Sequence, residues 1–267
     1  MRAIGLAVVV ALGAGQALQC QAVPPASSAP TSAASTVKPV PAYPKGHYTA
    51  LNTLPDWGGV WILNRRAPGG GPPQRPVLKG QYLKDYEAWQ KEVKDKGGEV
   101  AHRGSYCLPP GMPGIMGVAQ YPMEFLFTPG RVTTHHEAWT QWRNIYTDGR
   151  AHPADLDATF QGDSIGHWEK DTLVVDTVGI KTAAALQNGM GHSDKLHIVE
   201  RIHLAKDDPE TLVDEMTVED PEALAQPWQH ALTYKRSREL QLLEFECAEN
   251  DRNPVDAEGK TGFTRDE

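Results

Sequence analysis

Hydrophobic and polar residues alternate in short runs along most of this chain, a period of two that is typical of β-strands. A turn at Pro55-Asp56 precedes the first predicted strand, which contains Gly59 and Trp61. The strands predicted after it are Glu124–Thr128, Arg131–Tyr146, Ser164–Trp168, Thr172–Val178, Leu196–Leu204, Thr211–Glu219, Gln229–Tyr234 and Gln241–Cys247. Many short strands with little helix predict a mainly β protein, an antiparallel β-barrel or a sandwich.

One helix is predicted near residues 78–96. Apolar residues recur there at helical spacing with charged residues between them, and Gly97-Gly98 ends the run. The apolar positions are Tyr82, Tyr86, Trp89 and Val93. We expect this stripe to pack on the barrel as part of the core.

The first 45 residues do not follow the strand pattern. Residues 1–22 resemble a secretory signal peptide, with an apolar run followed by small residues. A lipid anchor at Cys20 is the alternative, although Gln19 stands where a lipoprotein signal has a small residue. Residues 23–45 are rich in Pro, Ala, Ser and Thr, which predicts a disordered tether. A single β-barrel domain, 46–267, is expected to follow, with no membrane span.

The balance of charge excludes two classes of partner. The chain has 34 acidic and 26 basic residues, a net charge of −8. Residues 1–45 contain three of the basic residues and none of the acidic ones, so the predicted domain is more acidic still. Non-specific binding of nucleic acid or of anionic lipid requires basic surface, and we expect neither.

Two cysteines lie outside the predicted signal peptide, Cys107 and Cys247. In an exported chain such a pair forms a disulfide, which here would close a loop of most of the domain. Two buried free thiols are the alternative. We expect the disulfide because it suits the periplasmic or secreted location that the signal peptide predicts.

Ionisable residues concentrate in four stretches of the predicted β-structure. Six of the ten histidines lie there, beside carboxylates and arginines. The stretches are 135–137, 146–153, 162–168 and 192–201. Strands usually place apolar residues on at least one face, so this density indicates a cavity, a metal or a network of paired charges.

The faces of the long strand predicted at 131–146 suggest a cavity. Neither face is apolar, as expected when one face of a closed barrel lines a polar site for a small-molecule or oligosaccharide ligand. An exposed two-stranded ribbon would give the same pattern without a ligand.

Glu200 is the most informative single residue. It shares a strand face with Leu196, Ile198 and Ile202, and a buried carboxylate is either paired or protonated. Arg143 and Arg150 are the expected partners. Both acid–base catalysis and a structural salt bridge explain such a group.

Candidate site residues follow from these patterns, since histidine exchanges protons near neutral pH. The candidate catalytic residues are His192, His197, Glu200 and Glu137. The candidate binding residues are Arg143, Tyr146, Arg150, His152, His136 and Trp168. His197 and Glu200 point to opposite strand faces, and no His-x-x-x-His or Cys-x-x-Cys motif is present, so we expect no metal and no other cofactor.

Ser164 lies in a Gly-x-Ser-x-Gly motif, Gly162 to Gly166. A serine hydrolase places that motif between a parallel strand and a helix, which this pattern does not offer. We therefore expect no serine nucleophile. No phosphate-binding glycine loop follows a predicted strand, so the sequence does not indicate a nucleotide site either.

The chain carries two resemblances to known proteins. The Gly-x-Trp pair at Gly59 and Trp61 resembles the opening strand of lipocalin-type barrels, which implies a lipocalin-like fold. Longer motifs, YTDGRxHP at 146–153, SIGxWExDTLVVDT at 164–177 and HSDxLHxxER at 192–201, resemble those of a group of exported bacterial proteins. This second resemblance covers about 57–250 and implies no particular reaction.

Three functional hypotheses remain. The first is an exported β-barrel enzyme, a lyase or hydrolase, that uses His and carboxylate acid–base chemistry on a carbohydrate or an aromatic compound. The second is a non-catalytic ligand-binding barrel in which Trp139, Trp142 and Trp168 offer stacking surface. The third is a structural envelope protein in which the polar residues are paired scaffold.

Overall fold

A computed structural model describes residues 47–64, 74–97, 107–118 and 120–250. These belong to the compact unit Tyr43–Glu267. The predicted signal peptide, the tether and the candidate lipid anchor at Cys20 lie outside the described residues. No helix in the described part of the chain is long and apolar enough to cross a membrane.

Nine strands form a closed barrel in which each strand pairs with the next along the chain, and the first pairs with the last. They are β1 (Val60–Leu63), β2 (Met123–Thr128), β3 (Arg131–His136), β4 (Gln141–Tyr146), β5 (Asp163–Glu169), β6 (Thr172–Val178), β7 (His197–Ala205), β8 (Asp208–Glu219) and β9 (Trp228–Ser237). The predicted mainly β barrel with one helix is confirmed.

The barrel is mixed rather than wholly antiparallel, which corrects the sequence prediction. β4 and β5 run parallel, with Ile145 opposite Ser164 and Tyr146 opposite Ile165. Parallel neighbours cannot be joined by a tight turn, so the chain must return between them. Residues 147–162 make this connection, and the Asp148-Gly149 turn belongs to it.

The strand predicted at 131–146 is in fact the hairpin of β3 and β4. Arg131 pairs with Tyr146 across it, and the chain turns at Trp139 and Thr140, whose φ angles are +55° and +46°. The strand predicted at Gln241–Cys247 is also wrong, because that segment contributes only an isolated bridge, between Phe245 and Ala138.

Alternation along the strands fills the barrel with apolar side chains. Each of these inward-facing residues is at most 2% exposed: Trp61, Val132, Ile145, Leu173, Val175, Ile198, Ile202, Leu212, Met216, Val218 and Tyr234. These side chains therefore pack closely in the barrel interior, almost out of contact with solvent.

The helix, α1 (Gly80–Asp95), packs through its aromatic stripe as predicted. Tyr82 and Tyr86 pack against the core, and Tyr86 stacks on Trp89. A Cβ at Gly189 would lie 3.0 Å from the Trp89 ring, so glycine allows the loop that precedes β7 to approach the helix.

Cys107 and Cys247 form a disulfide with a Cα–Cα distance of 5.3 Å. The bond joins the loop before β2 to the segment after β9. It agrees with the expected disulfide and with an oxidising environment.

Candidate functional site

The polar stretches at 146–153, 162–168 and 192–201 meet on strands β4 to β7, where they form two layers on opposite faces of the sheet. Successive residues of a strand point to opposite faces. Asp163-Ser164 and Asp176-Thr177 therefore each place one polar side chain outside the barrel and one inside it. Gly162, with φ +72°, allows β5 to start there, since a Cβ would lie 2.7 Å from the Val178 carbonyl oxygen.

The inner layer is built around Arg143, which faces Glu200 in the barrel interior. Nη1 of Arg143 donates to Oε1 of Glu200 at 2.9 Å, and Nη2 donates to Oε2 of the same carboxylate. The guanidinium also donates to Ser164 Oγ at 3.1 Å and to Thr177 Oγ1 at 2.8 Å. Both charged side chains are at most 1% exposed. Of the two partners expected for Glu200, the structure selects Arg143.

A second carboxyl group, Asp214, lies in the same interior and is fully buried. Neither of its oxygens has a hydrogen-bond partner among the described residues. Burial, and next the charge of Glu200, hold the pKa of Asp214 well above its usual value, although Arg143 opposes this shift. Since Glu200 already accepts both bonds from Arg143, we assign the proton to Asp214.

Other polar groups in the interior are also sequestered. His136 shares a 2.9 Å hydrogen bond with Thr134, and burial lowers the pKa of His136 to about 3, with Arg143 contributing. The Tyr234 hydroxyl donates to the Met116 carbonyl oxygen at 2.8 Å. The polar face predicted to line a ligand cavity thus lines a closed interior.

The outer layer is a chain of alternating carboxylates and imidazoles. His152 Nδ1 lies 2.6 Å from Asp163 Oδ1, and its Nε2 lies 3.2 Å from Asp176 Oδ1. His197 Nε2 lies 3.0 Å from that same Asp176 oxygen. The chain ends at Glu219, whose carboxylate is 3.6 Å from His197 Nδ1. Its side chains are between 21% and 52% exposed, so solvent and solutes reach them.

The two histidines of this outer layer differ in the hydrogen bonds that their ring nitrogens make. Both nitrogens of His152 are held by carboxylates, which only accept hydrogen bonds when ionised. His152 therefore fastens the 147–162 connection onto the outer face of β5 and β6. His197 has one nitrogen held by Asp176, while its Nδ1 lies 3.6 Å from Glu219, beyond hydrogen-bond distance.

Arg150 and Tyr146 border this chain on the side of β4. The Arg150 guanidinium stacks 3.9 Å above the Tyr146 ring and donates to both carboxylate oxygens of Asp148. That hydrogen bonding lowers the pKa of Asp148 and raises that of Arg150. The motif at 146–153 thus folds into a compact polar turn that carries His152 to the sheet.

The structure separates the other predicted site residues from this region. His192 is buried, with Nδ1 2.7 Å from the Ser193 carbonyl oxygen. Glu137 accepts a hydrogen bond from the backbone of Leu243. Trp168 packs on Trp57 and Phe127. The predicted residues that come together are Tyr146, Arg150, His152 and His197 outside the barrel, and His136, Arg143 and Glu200 inside it.

Sequence reasoning missed the carboxylates that connect these residues. Asp163, Asp176 and Glu219 hold the outer histidines, and Asp214 adds the second acid inside. The available signal was the repeated pair of Asp followed by Ser or Thr at 163–164 and 176–177, which puts one polar group on each face. In the described part of the chain no three His, Cys, Asp or Glu side chains are arranged to hold a metal ion.

Comparison with known proteins does not identify the chain. No model of a protein family matches it, and no curated protein matches it significantly. The function has to be argued from the site itself.

Proposed function

We propose that this protein is an exported acid–base enzyme whose site is the outer layer on β5 to β8. His197 carries the proposal, because Asp176 holds one of its ring nitrogens while the other lies 3.6 Å from Glu219, beyond hydrogen-bond distance, on a side chain that is one third exposed. A histidine oriented by a carboxylate in this way supplies a general base or acid. We infer a lyase or hydrolase that acts on a small or oligomeric organic substrate such as a carbohydrate or an aromatic compound.

The geometry supports distinct roles for the neighbouring groups. Asp176 accepts the Nε2 proton and so selects the tautomer in which Nδ1 of His197 is basic. Nδ1 then takes a proton from the substrate or from a water molecule. Glu219, 3.6 Å away, stabilises the imidazolium that results. His152, bound to the same oxygen of Asp176, holds that carboxylate in place.

The predicted export signal and the Cys107–Cys247 disulfide support a periplasmic or secreted location. In that setting the substrate reaches the site from the medium outside the cytoplasm. The exposed position of His197 on the sheet suits an extended or oligomeric substrate better than one that must be enclosed.

The test is to screen the purified protein for turnover and then to replace His197. Nitrophenyl esters and glycosides report hydrolysis, and uronate-containing polysaccharides report elimination through the ultraviolet absorbance of an unsaturated product. We expect His197→Gln to lower kcat on the order of 100-fold or more, with KM changed far less. His167→Gln is the matched control, since among the described residues this exposed histidine of β5 pairs only with a neighbouring carboxylate, Glu169.

Full activity of His197→Gln would refute the assignment of His197 as the general base or acid. Binding of a substrate analogue without any turnover would instead support the second hypothesis, a non-catalytic ligand-binding barrel.

A further inference from the structure

Trp142 is presented to solvent in an unusual way. Of the seven tryptophans it alone is exposed over nearly half of its surface, 48%. The two other tryptophans that the sequence suggested as stacking surface are engaged, since Trp168 packs on Trp57 and Trp139 contacts Phe245. Exposing a large aromatic ring forgoes the stabilisation of burying it.

The exposed ring is also held rigidly. It lies face to face with His135, its partner across the β3–β4 hairpin, at a centroid distance of 3.7 Å and an interplanar angle of 3°. His135 is fixed in turn by Glu124 on β2, whose Oε1 lies 3.1 Å from Nδ1. One face of the indole is thus backed by a fixed ring, and the opposite face points away from it. A ring ordered before binding costs a ligand little entropy.

Polar groups flank this ring on the same face of the sheet. Asn144, two residues along β4 and so about 7 Å away, accepts a hydrogen bond from Thr133 through Oδ1. No described residue accepts a hydrogen bond from its amide nitrogen. The Asn144 carbonyl oxygen has a second lone pair, so the same amide also offers an acceptor. An aromatic face with a donor and an acceptor at its rim therefore stands on the outside of β2 to β4.

We propose that Trp142 is a binding platform for a pyranose ring of an oligosaccharide. The C–H face of a pyranose stacks on an aromatic ring, and its hydroxyl groups both donate and accept hydrogen bonds, as the Asn144 amide does. A flat aromatic ligand would stack equally well but would leave that amide unmatched. Because a stacking surface lies beside a hydrogen-bond donor and an acceptor, the site fits a carbohydrate better than a flat aromatic ligand.

The platform also specifies a substrate class for the outer layer, an extension that rests on the proposed function. Asn144 directly precedes Ile145, which pairs with Ser164, so it lies beside Asp163 at the start of the carboxylate–imidazole chain. An oligosaccharide seated on Trp142 extends from there toward His152. The binding of sugar to Trp142 stands independently of any catalysis by His197.

Isothermal titration calorimetry tests the platform with hexasaccharides of β-1,4-linked glucose, xylose, mannose and N-acetylglucosamine. We expect at least one to bind the intact protein. Trp142→Ala should weaken that binding at least tenfold, Trp142→Phe less, and Asn144→Ala several-fold. Tyr48→Ala is the matched control, because this exposed aromatic residue lies outside the barrel strands. Circular dichroism melting confirms that each variant is folded.

His197→Gln separates this proposal from the catalytic one. Binding that depends on Trp142 and survives in His197→Gln supports the platform, whether or not turnover is found. The platform is refuted if none of the four hexasaccharides binds, or if Trp142→Ala binds with unchanged affinity.

Discussion

Replacing Glu200 with glutamine should destabilise the barrel strongly, because it leaves the Arg143 guanidinium buried without its counter-ion. Both side chains are almost fully inaccessible to solvent and are joined by two hydrogen bonds. Removing one partner of a buried ion pair typically costs about 3–5 kcal/mol, much of it the desolvation of the remaining charge. For a domain of this size that corresponds to a drop in Tm of about 6–20 °C.

The loss of stability in Glu200→Gln depends on whether Asp214 can ionise. In the intact protein, burial and next the charge of Glu200 raise the pKa of Asp214 well above its usual value, which favours the protonated form. Once Glu200 is neutral, Asp214 can ionise and replace it as the counter-ion. We therefore expect Glu200→Gln to lower the free energy of unfolding by about 3 kcal/mol, the lower end of that range. Glu200→Gln combined with Asp214→Asn should lose clearly more than the two single changes added together.

Urea unfolding at neutral pH, followed by circular dichroism, measures these free energies. Arg201→Gln is the matched control, because Arg201 is the next residue of β7 but points outward to an exposed partner, Glu169. It should leave the unfolding midpoint unchanged. If Glu200→Gln lowers the free energy of unfolding by less than about 1 kcal/mol, the buried pair is not held as the structure shows. Strict additivity with Asp214→Asn would refute the exchange of counter-ions.

Two further predictions concern the pH dependence of stability and the disulfide. The pKa of Asp214 is raised by folding, so its contribution to stability is complete below about pH 3.8, the value for the unfolded chain, and is lost as the pH rises toward the folded value. Asp214→Asn does not lose this contribution, so its free energy of unfolding should rise relative to that of the intact protein above pH 4, by up to about 1.4 kcal/mol per pH unit. A difference between the two proteins that stays constant from pH 4 to pH 8 would contradict the assignment of the proton. Replacing Cys107 and Cys247 together with serine should lower the free energy of unfolding by about 3–5 kcal/mol, because the bond spans 140 residues and restricts the unfolded chain. An unchanged urea midpoint in that variant would show that the loop entropy is offset elsewhere.

Local pattern was enough to predict most strands and the helix, because their period and their turn signals are contained in a few residues. The hairpin between β3 and β4 was missed for a physical reason. Its turn uses Trp139 and Thr140 in left-handed conformations that such residues rarely adopt, without the glycine or proline that marks other turns. Treating 131–146 as one strand also mixed the two faces, since the inner face of β3 has even numbers and that of β4 has odd ones.

The parallel pairing of β4 with β5 could not be predicted locally either. The Asp148-Gly149 turn has the sequence of a tight hairpin turn, yet the connection continues to residue 162 before β5 begins. Contacts between residues distant in sequence hold that path, among them those of His152 with Asp163 and Asp176. Turn chemistry fixes the local bend and leaves the partner of the next strand open.

The candidate site was predictable where one residue contradicts its own strand face. Glu200 among aliphatic residues is such a case, and a partner from another strand was expected because Arg201 beside it points to the opposite face. Asp214 gave a weaker signal, since Glu215 beside it makes the pair resemble an exposed acidic position. Which carboxylate meets which histidine depends on strand register, and the sequence alone does not contain it.

The two layers are connected through the peptide backbone of the strands, and this explains why buried and exposed polar residues occur side by side along them. Ser164 and Thr177 are fixed inside by Arg143, and Asp163 and Asp176 are their immediate neighbours outside. Because successive side chains share a peptide unit, fixing the inner residue also limits the movement of the outer carboxylate. Catalytic groups act best when rigid elements hold them within a fraction of an ångström. The buried network therefore supports the geometry of the outer histidines, while the proton exchange we propose is confined to the exposed face.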